Sequence, residues 1–552
     1  MISLPRVKSS YWQLRKELRS LTLDDLTLRS TFRQAHALRN FFRQTFSVAE
    51  AENEIKRAME LRESNFLELA RTQIYAQPAS PYLALLRNAG CEFSDLQALV
   101  RRHGLETALA SLAREGVYVS ASEFKGKTDV VRGSLKFRVS RADFARRDRA
   151  PGLSVQSSGT SNRPQQGHVA LDWLSIWSFA KGVFLSAHDL LSSSHAVYDA
   201  ILPAPAAIYS LLHNARMGVA TQRWFAQRMP YNNWITDAEI LWSTNLIVLM
   251  GKWFGPGFPR PEFLPLREFE PLLSWLVQER NRGKNCCVDV TASNAVRIAH
   301  KAWEKGISLE GTTFILHGEP YTDAKREIIE RAGARSTTRY SFHLGMNVGH
   351  GCPNAHHIDE IHVNQYMLAA ITHPVPLALD GPPIHPLLFT TLYPQAALLH
   401  LNVENGDYAE LENRQCGCAL ERAGLGLHLH RIRSYEKFTA EGWTYFYWGI
   451  YELMEKTLPA EFGGVPGDYQ LVEEEDFDGL TRLSLLVDPS VKDVDEVKLR
   501  SRIEEAFVQN KSGNWSVASA WKGTNTFRIV RAAPRASPRG KILPLHISHR
   551  SH

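Results

Sequence analysis

From about residue 150 to residue 430 the chain alternates short apolar, β-type runs with stretches of helical spacing, and this alternation limits the fold more than any other feature. Thr312-Thr313-Phe314-Ile315-Leu316 reads as a buried strand ending at His317-Gly318-Glu319-Pro320. Thr322 is placed to cap a following helix that carries Ile328, Ile329 and Ala332, and Gly333 closes it. Ligands of α/β sheets gather beyond the carboxyl ends of strands, so the turn after Leu316 is a candidate binding position.

Both flanks differ from this middle region. Residues 1–75 are rich in Arg, Leu, Glu and Phe at helical spacing, a helical extension of unassigned role. Next, Leu96, Leu99 and Val100, then Leu105, Ala108, Leu109 and Leu112, mark two amphipathic helices meeting near His103-Gly104. Beyond residue 434, Leu483–Val487 reads as a strand, Asp493 with Glu496 as a capping box, and Val494, Val497, Ile503 and Phe507 as one face of a helix. Thr526 to Val530 follows as another strand. The predicted class is α/β: a helical extension over 1–75, a large multi-sheet domain over 76–433 and a small α/β lid domain over 434–552.

With 552 residues, two or more domains are expected, since one core seldom serves so long a chain. The longest aliphatic run, Leu246-Ile247-Val248-Leu249-Met250, is too short to cross a bilayer. No apolar core with a cleavage site follows Met1, so a cytoplasmic location is expected. The net charge of +6 is spread among acids rather than gathered in a stripe with stacking aromatics, which argues against nucleic acid. Six cysteines are too few for a disulfide scaffold.

Ser157-Ser158-Gly159-Thr160-Ser161-Asn162-Arg163-Pro164 carries the chemistry of a polyphosphate cradle. Its hydroxyls and backbone N–H groups can converge on anionic oxygens, and Gly159 permits the backbone angles a nest requires. A solvated turn would use the same residue types. Further along stand His317-Gly318-Glu319-Pro320, Asn405-Gly406-Asp407, Ile432-Arg433-Ser434-Tyr435-Glu436-Lys437 and Ser537-Pro538-Arg539-Gly540-Lys541-Ile542-Leu543-Pro544. In this order the five segments resemble the adenylate-forming superfamily of acyl- and aryl-CoA synthetases, adenylation domains and luciferases, and within it the phenylacetate-CoA ligase branch. The resemblance runs from about residue 80 to residue 546.

It implies ATP-dependent activation of a carboxylic acid as an acyl-adenylate, followed by transfer to CoA, with Mg2+ accompanying the nucleotide. Ser157, Ser158, Gly159, Thr160 and Ser161 would hold phosphates, Gly318, Glu319 and Pro320 would lie along the adenine, Tyr340 would be a further cofactor-binding residue, and Asp407 would accept from the ribose hydroxyls. Arg433 would add charge near ribose and phosphate, and Lys541 would be the catalytic cation, delivered by a small domain that swings about Ser434-Tyr435-Glu436. Trp224, Phe225, Tyr340 and Phe342 would suit an aryl or hydrophobic acid, or be plain core. An amine or carrier-protein thiol as acceptor, and a non-catalytic nucleotide-binding homologue, stand as alternatives.

Three positions depart from the family pattern. Leu344 stands where a Mg2+-binding glutamate is usual, leaving the cation to phosphates, water and another acid. Gln165 replaces a common lysine, and Asn405 a threonine. A serine hydrolase is disfavoured because no Gly-x-Ser-x-Gly elbow occurs.

Cys352, His357, Cys416 and Cys418 form C-x4-H and then C-x-C, a thiolate and imidazole set matching the tetrahedral preference of Zn2+. Gly417 would let the chain turn between the paired cysteines, His356 could replace His357, and His362 reads as a surface residue. A similar set recurs in the phenylacetate-CoA ligase branch. With all four positions filled, the metal would be structural and not hydrolytic.

Overall fold

The computed structural model describes residues 25–547 apart from 127, 147–149, 157–165, 203, 228–233, 265–267, 320, 343–345, 377–382, 435–436, 441–442, 447–452, 465–466, 476–480, 509–526 and 536–544. The candidate residues Ser157, Ser158, Gly159, Thr160, Ser161, Pro320, Leu344 and Lys541, with Gln165 and Tyr435-Glu436, therefore lie outside the described residues.

Twelve strands form one sheet: β1 (Ser194–Tyr198), β2 (Thr221–Gln227), β3 (Pro261–Leu264), β4 (Cys286–Thr291), β5 (Thr312–His317), β6 (Arg335–Phe342), β7 (Met346–Gly351), β8 (Ile361–Val363), β9 (Leu368–Thr372), β10 (Pro386–Thr391), β11 (Val403–Asn413) and β12 (Leu427–Ser434). Their spatial order is β9-β10-β11-β12-β8-β7-β6-β5-β4-β1-β2-β3. From β6 to β3 all neighbours run parallel, in the doubly wound order 3-2-1-4-5-6. From β6 to β9 all run antiparallel.

The parallel strands β1, β4 and β5 are buried along their whole length, as crossover helices cover both faces of such a sheet. On one face Val290, Leu316 and Tyr198 meet helices Glu270–Asn281 and Ala292–Glu304. Val197 and Ile315 face the other way, into the core formed with helices Leu171–Ala187 and Ala206–Arg216. Trp224 and Phe225, considered for an acid pocket, are fully buried in β2 and belong to these two opposite cores.

The expected helix pair is present as Phe93–His103 and Leu105–Arg114, with Gly104 at φ +79° between them. Thr322 accepts from the Lys325 N–H and starts helix Asp323–Arg331. Residues 25–69 form helices Asp25–Arg43, Val48–Glu60 and Arg62–Leu69, and they are not an appendage. Leu38, Phe41, Phe42, Ala51, Ile55 and Ala58 enter the main core beside Trp173 and Trp177.

A separate four-stranded sheet, with its own core, follows: β13 (Tyr469–Glu475), β14 (Thr481–Val487), β15 (Phe527–Arg531) and β16 (Leu545–Ile547), in the order β15-β14-β13-β16. β14 and β15 are parallel across helix Glu496–Val508, the anticipated βαβ unit. Its cap differs from the sequence reading. Asp495, not Asp493, accepts from the N–H groups of Val497 and Lys498, while Asp493 sits at φ +55° in the preceding turn. With the helix starting there, Leu499 and Ile503, one turn apart, form its buried face and Val497 points to solvent, 77% exposed.

Candidate nucleotide and metal sites

The end of β5 places His317 and Gly318 at the carboxyl edge of the parallel half. Gly318 has φ +81°, a left-handed conformation that a β-carbon would strain, so the strand can turn sharply at this point. Neighbouring β6 pairs Thr338 with Leu316, which sets Tyr340 level with Gly318. A register shift between Tyr340 and Ser341 marks a bulge, a device that re-aims side chains at sheet edges.

Tyr340 meets the Asn405-Gly406-Asp407 segment. Its phenol donates to Asp407 Oδ2 at 2.5 Å, and Asn405 Nδ2 donates to both the Tyr340 oxygen, at 2.5 Å, and Asp407 Oδ2, at 2.9 Å. The Asp407 N–H in turn donates to Asn405 Oδ1 at 3.1 Å. Burial, with the Asp407 charge added, pushes the Tyr340 phenol well above its ordinary value, so it remains a neutral donor. Asn405 thus does what a hydroxyl could not: one amide supplies two donors and an acceptor to the same small cluster.

Arg433 lies opposite Tyr408 on β12 and gives its guanidinium to Asp359 at 2.8 Å. Asp359 also accepts from the backbone N–H groups of Arg431 and Ile432, both at 2.9 Å. The expected cation is therefore part of a strand-bracing ion pair.

Beneath the strand ends is a buried charge knot with no counterpart in the sequence reading. Asp289 of β4 takes Arg339 Nη2 at 2.9 Å and His317 Nε2 at 3.2 Å on one oxygen, and Lys181 Nζ at 3.3 Å on the other. His317 also lies 3.4 Å from Asp199, which directly follows β1. Burial works to raise Asp289, but Arg339, Lys181 and His317 outweigh it and hold the carboxyl well below its usual range. The knot ties β1, β4, β5 and β6 together at the reversal of strand order, where doubly wound sheets bind ligands.

The strands Gly152–Gln156 and Gln166–Ala170 pair antiparallel, with Gln156 opposite Gln166, so both chain ends that flank the Ser157–Ser161 segment are fixed. A cavity of about 440 Å3, lined by Phe46, Val48, Leu191, Met217 and Ala220, lies instead near the amino ends of β1 and β2.

Three of the four expected metal ligands come together, and the fourth is corrected. Cys352, Cys416, Cys418 and His362 present ligand atoms all within 4.8 Å of one another, whereas His357 stacks on His430 with centroids 4.0 Å apart. His362 is fully buried on β8, not on the surface. Its Nδ1 pairs with the Leu425 carbonyl at 2.7 Å, which leaves the Nε2 lone pair facing Cys418 Sγ at 3.1 Å and Cys416 Sγ at 3.6 Å. Gly417 does turn the chain, at φ +75°. The neighbouring Cys352 thiol, donating to Cys418, holds Cys418 below its ordinary value, the thiolate character a soft cation needs. Behind the cluster Glu360 takes Arg414, His428 and the N–H groups of His356 and His357, which makes it a brace for the loop carrying Cys352. Three soft sulfurs and one oriented imidazole fit Zn2+.

No family model and no curated protein sequence matches the chain. Among solved structures, that of 2-hydroxyisobutyryl-CoA ligase in complex with 2-HIB-AMP and CoA, in its thioesterification state, is similar at a TM-score of 0.52 and 14% identity, over 92% of this chain and 91% of that one. o-Succinylbenzoate CoA synthetase from Bacillus subtilis gives 0.36 at 11% identity, over 72% and 69%. The chain thus has the fold of the adenylate-forming enzymes. No helix among the described residues is long and apolar enough to cross a membrane.

Proposed function

We propose that this protein activates a carboxylic acid with ATP and passes the acyl group to CoA. The Tyr340–Asn405–Asp407 cluster, level with the turn at Gly318 on the ligand-binding edge of the sheet, is the observation that carries this reading. Asp407 is pre-aligned by two donors, as an acceptor for a vicinal diol must be if it is not to spend binding energy on its own ordering.

In the first step an oxygen of the acid attacks the α-phosphorus, the bond to the β-phosphate oxygen breaks, and pyrophosphate leaves with the electron pair. Ser157, Ser158, Thr160 and Ser161 hold the departing phosphates, and Lys541 places its ammonium between carboxylate and α-phosphate. In the second step a thiol attacks the acyl carbon, loses its proton, and AMP departs. Mg2+ accompanies ATP and would neutralise phosphate charge. Cys352, His362, Cys416 and Cys418 would hold Zn2+ in a closed set, bracing the β7–β8 connection against the turn before β12 without touching substrate. The Cys/His set also supports placement in the phenylacetate-CoA ligase branch.

Purified protein given ATP, Mg2+, CoA and a panel of aliphatic, hydroxylated and aryl acids should form AMP and one acyl-CoA mass in equal amounts. AMP formed without thioester would move the acceptor to an amine or carrier thiol. No AMP with any acid, despite ATP binding, would mean a non-catalytic nucleotide-binding protein.

A further inference from the structure

Strand β12 carries one residue more than its partner needs. Tyr408 pairs with Arg433 and Glu410 with His430, so β11 advances two residues where β12 advances three. The extra residue makes a bulge, and Arg431 sits in it at φ +54°. A β-carbon disfavours this left-handed conformation, which is why bulges of the kind ordinarily use glycine. An arginine stays there only if its surroundings hold it.

The bulge decides which way the end of β12 faces. Leu429 and Ile432 both pack in the main core although they stand an odd number of residues apart, which an unbroken strand does not allow. With the extra residue, Ile432 returns to the core, Arg433 falls opposite Tyr408, and Ser434 falls opposite Asp407. Without it, the last residues of β12 would slip by one against the segment that carries Asp407.

Asp359 supplies the hold. This buried carboxylate accepts from the two successive N–H groups at the bulge, Arg431 on Oδ1 and Ile432 on Oδ2, both at 2.9 Å. Its Oδ2 also takes the Arg433 guanidinium at 2.8 Å, so three consecutive residues of β12 are fixed by one side chain.

Asp359 is itself mounted on the loop between two of the candidate metal ligands, Cys352 and His362. The Cys352 N–H donates to the Glu360 carbonyl at 3.1 Å and the Glu360 N–H to the His357 carbonyl at 3.0 Å, which closes the loop on itself next to Asp359. Just beyond, β8 pairs with β12 through Ile361 and Leu429. The placement of this loop therefore reaches Asp407 in two described steps, carboxylate to bulge and bulge to strand register.

We infer that Asp359 is a positioning residue of the nucleotide site: it carries the placement of the metal-site loop through the β12 bulge to Asp407. The inference rests on the function proposed above. Asp359→Asn keeps the size of the side chain, leaves one acceptor for two N–H groups and removes the countercharge of Arg433. Arg431→Gly lets the bulge form without a clamp.

The test is titration with AMP, which presents the ribose, on the wild type, Asp359→Asn, Arg431→Gly and the double variant. Zinc content and hydrogen exchange of β11 and β12 are measured on each. Asp359→Asn should bind AMP about tenfold more weakly, as loss of hydrogen bonds to a charged group implies, with KM for ATP rising in step and kcat at saturating ATP unchanged. Its β11 and β12 amides should exchange faster while zinc stays at the wild-type level. Arg431→Gly should bind AMP as the wild type does, and in the double variant it should restore most of the lost affinity. Undiminished AMP affinity in Asp359→Asn would overturn the inference. A loss that Arg431→Gly does not repair would overturn the bulge as its route, and loss of zinc in Asp359→Asn would reverse the direction, making Asp359 a prop of the metal loop. A wild type that binds neither AMP nor ATP would defeat the proposed function instead, leaving the exchange rates to decide whether Asp359 holds the strand pair.

Discussion

Tyr340 and Asp407 touch at 2.5 Å although their strands, β6 and β11, stand four places apart in the sheet. Neighbouring strands are about 4.8 Å apart, so a flat sheet would separate them by about 19 Å. The antiparallel half must curl back over the parallel half to bring the two side chains together. A sheet that changes from parallel to antiparallel at β6 and then curls creates the concave edge at which the proposed nucleotide site lies.

Removing the phenol hydroxyl tests this closure. Tyr340→Phe leaves Asp407 with the Asn405 donor but without the bond that joins the two halves. A loss of about 1 kcal/mol in stability and about a fivefold rise in KM for ATP are expected, read by urea unfolding and initial rates. Unchanged KM would detach Asp407 from the nucleotide.

Metal content separates the two histidines. His362→Ala should abolish stoichiometric zinc and cost several kcal/mol, because metal binding and folding of the loop are linked. His357→Ala should keep the zinc, since His357 stacks on His430. Elemental analysis of both variants decides, and the reverse pattern would restore the C-x4-H assignment.

Asp289→Asn is expected to be the most damaging single-atom change in the sheet. It leaves Lys181 and Arg339 buried without their countercharge, and breaking a buried pair typically costs about 3–5 kcal/mol. Lys181→Met, which leaves Asp289 with Arg339 and His317, should cost less. Comparison of thermal midpoints checks the order, and equal midpoints would mean the knot adds nothing to the strand ends.

Acid should destabilise the fold through buried histidines. Burial holds His213 and His400 at about 3 and His195 at about 4, against 6.5 for an unhindered imidazole. With folded values depressed, the unfolded chain binds more protons below pH 6.5, so stability is full above that pH and falls as pH drops towards about 4. Each histidine contributes a slope of about 1.4 kcal/mol per pH unit in that window. Urea midpoints at pH 7.5, 6.0 and 5.0 should decline, and a flat profile would contradict the neutral burial of these rings.

Where local pattern decides the outcome, the sequence was sufficient: Thr312–His317 as a strand, the helix pair around Gly104 and the βαβ order after residue 480 all follow from periodicity and breakers. Where it failed, long-range contact had decided. His362 lies between Ile361 and Val363 in a fully buried strand, opposite His428, a setting in which a histidine needs partners; nothing in C-x4-H spacing could show that the chain reaches the cysteines five residues later. The Asp289 knot joins residues from three strands, a helix and the turn directly after β1. Asn405 was legible only as a departure, because its two donated hydrogen bonds become visible once Tyr340 is placed beside it.

Acid-dependent release of pyrophosphate from ATP, measured on the wild type and on Lys541→Ala, addresses the central claim most directly. The expected result is release that requires a carboxylic acid and falls by at least about a hundredfold in the variant, as loss of a charge aimed at the transition state demands. Release that persists undiminished in Lys541→Ala would contradict the catalytic role given to that ammonium, and absence of release with every acid would contradict activation itself.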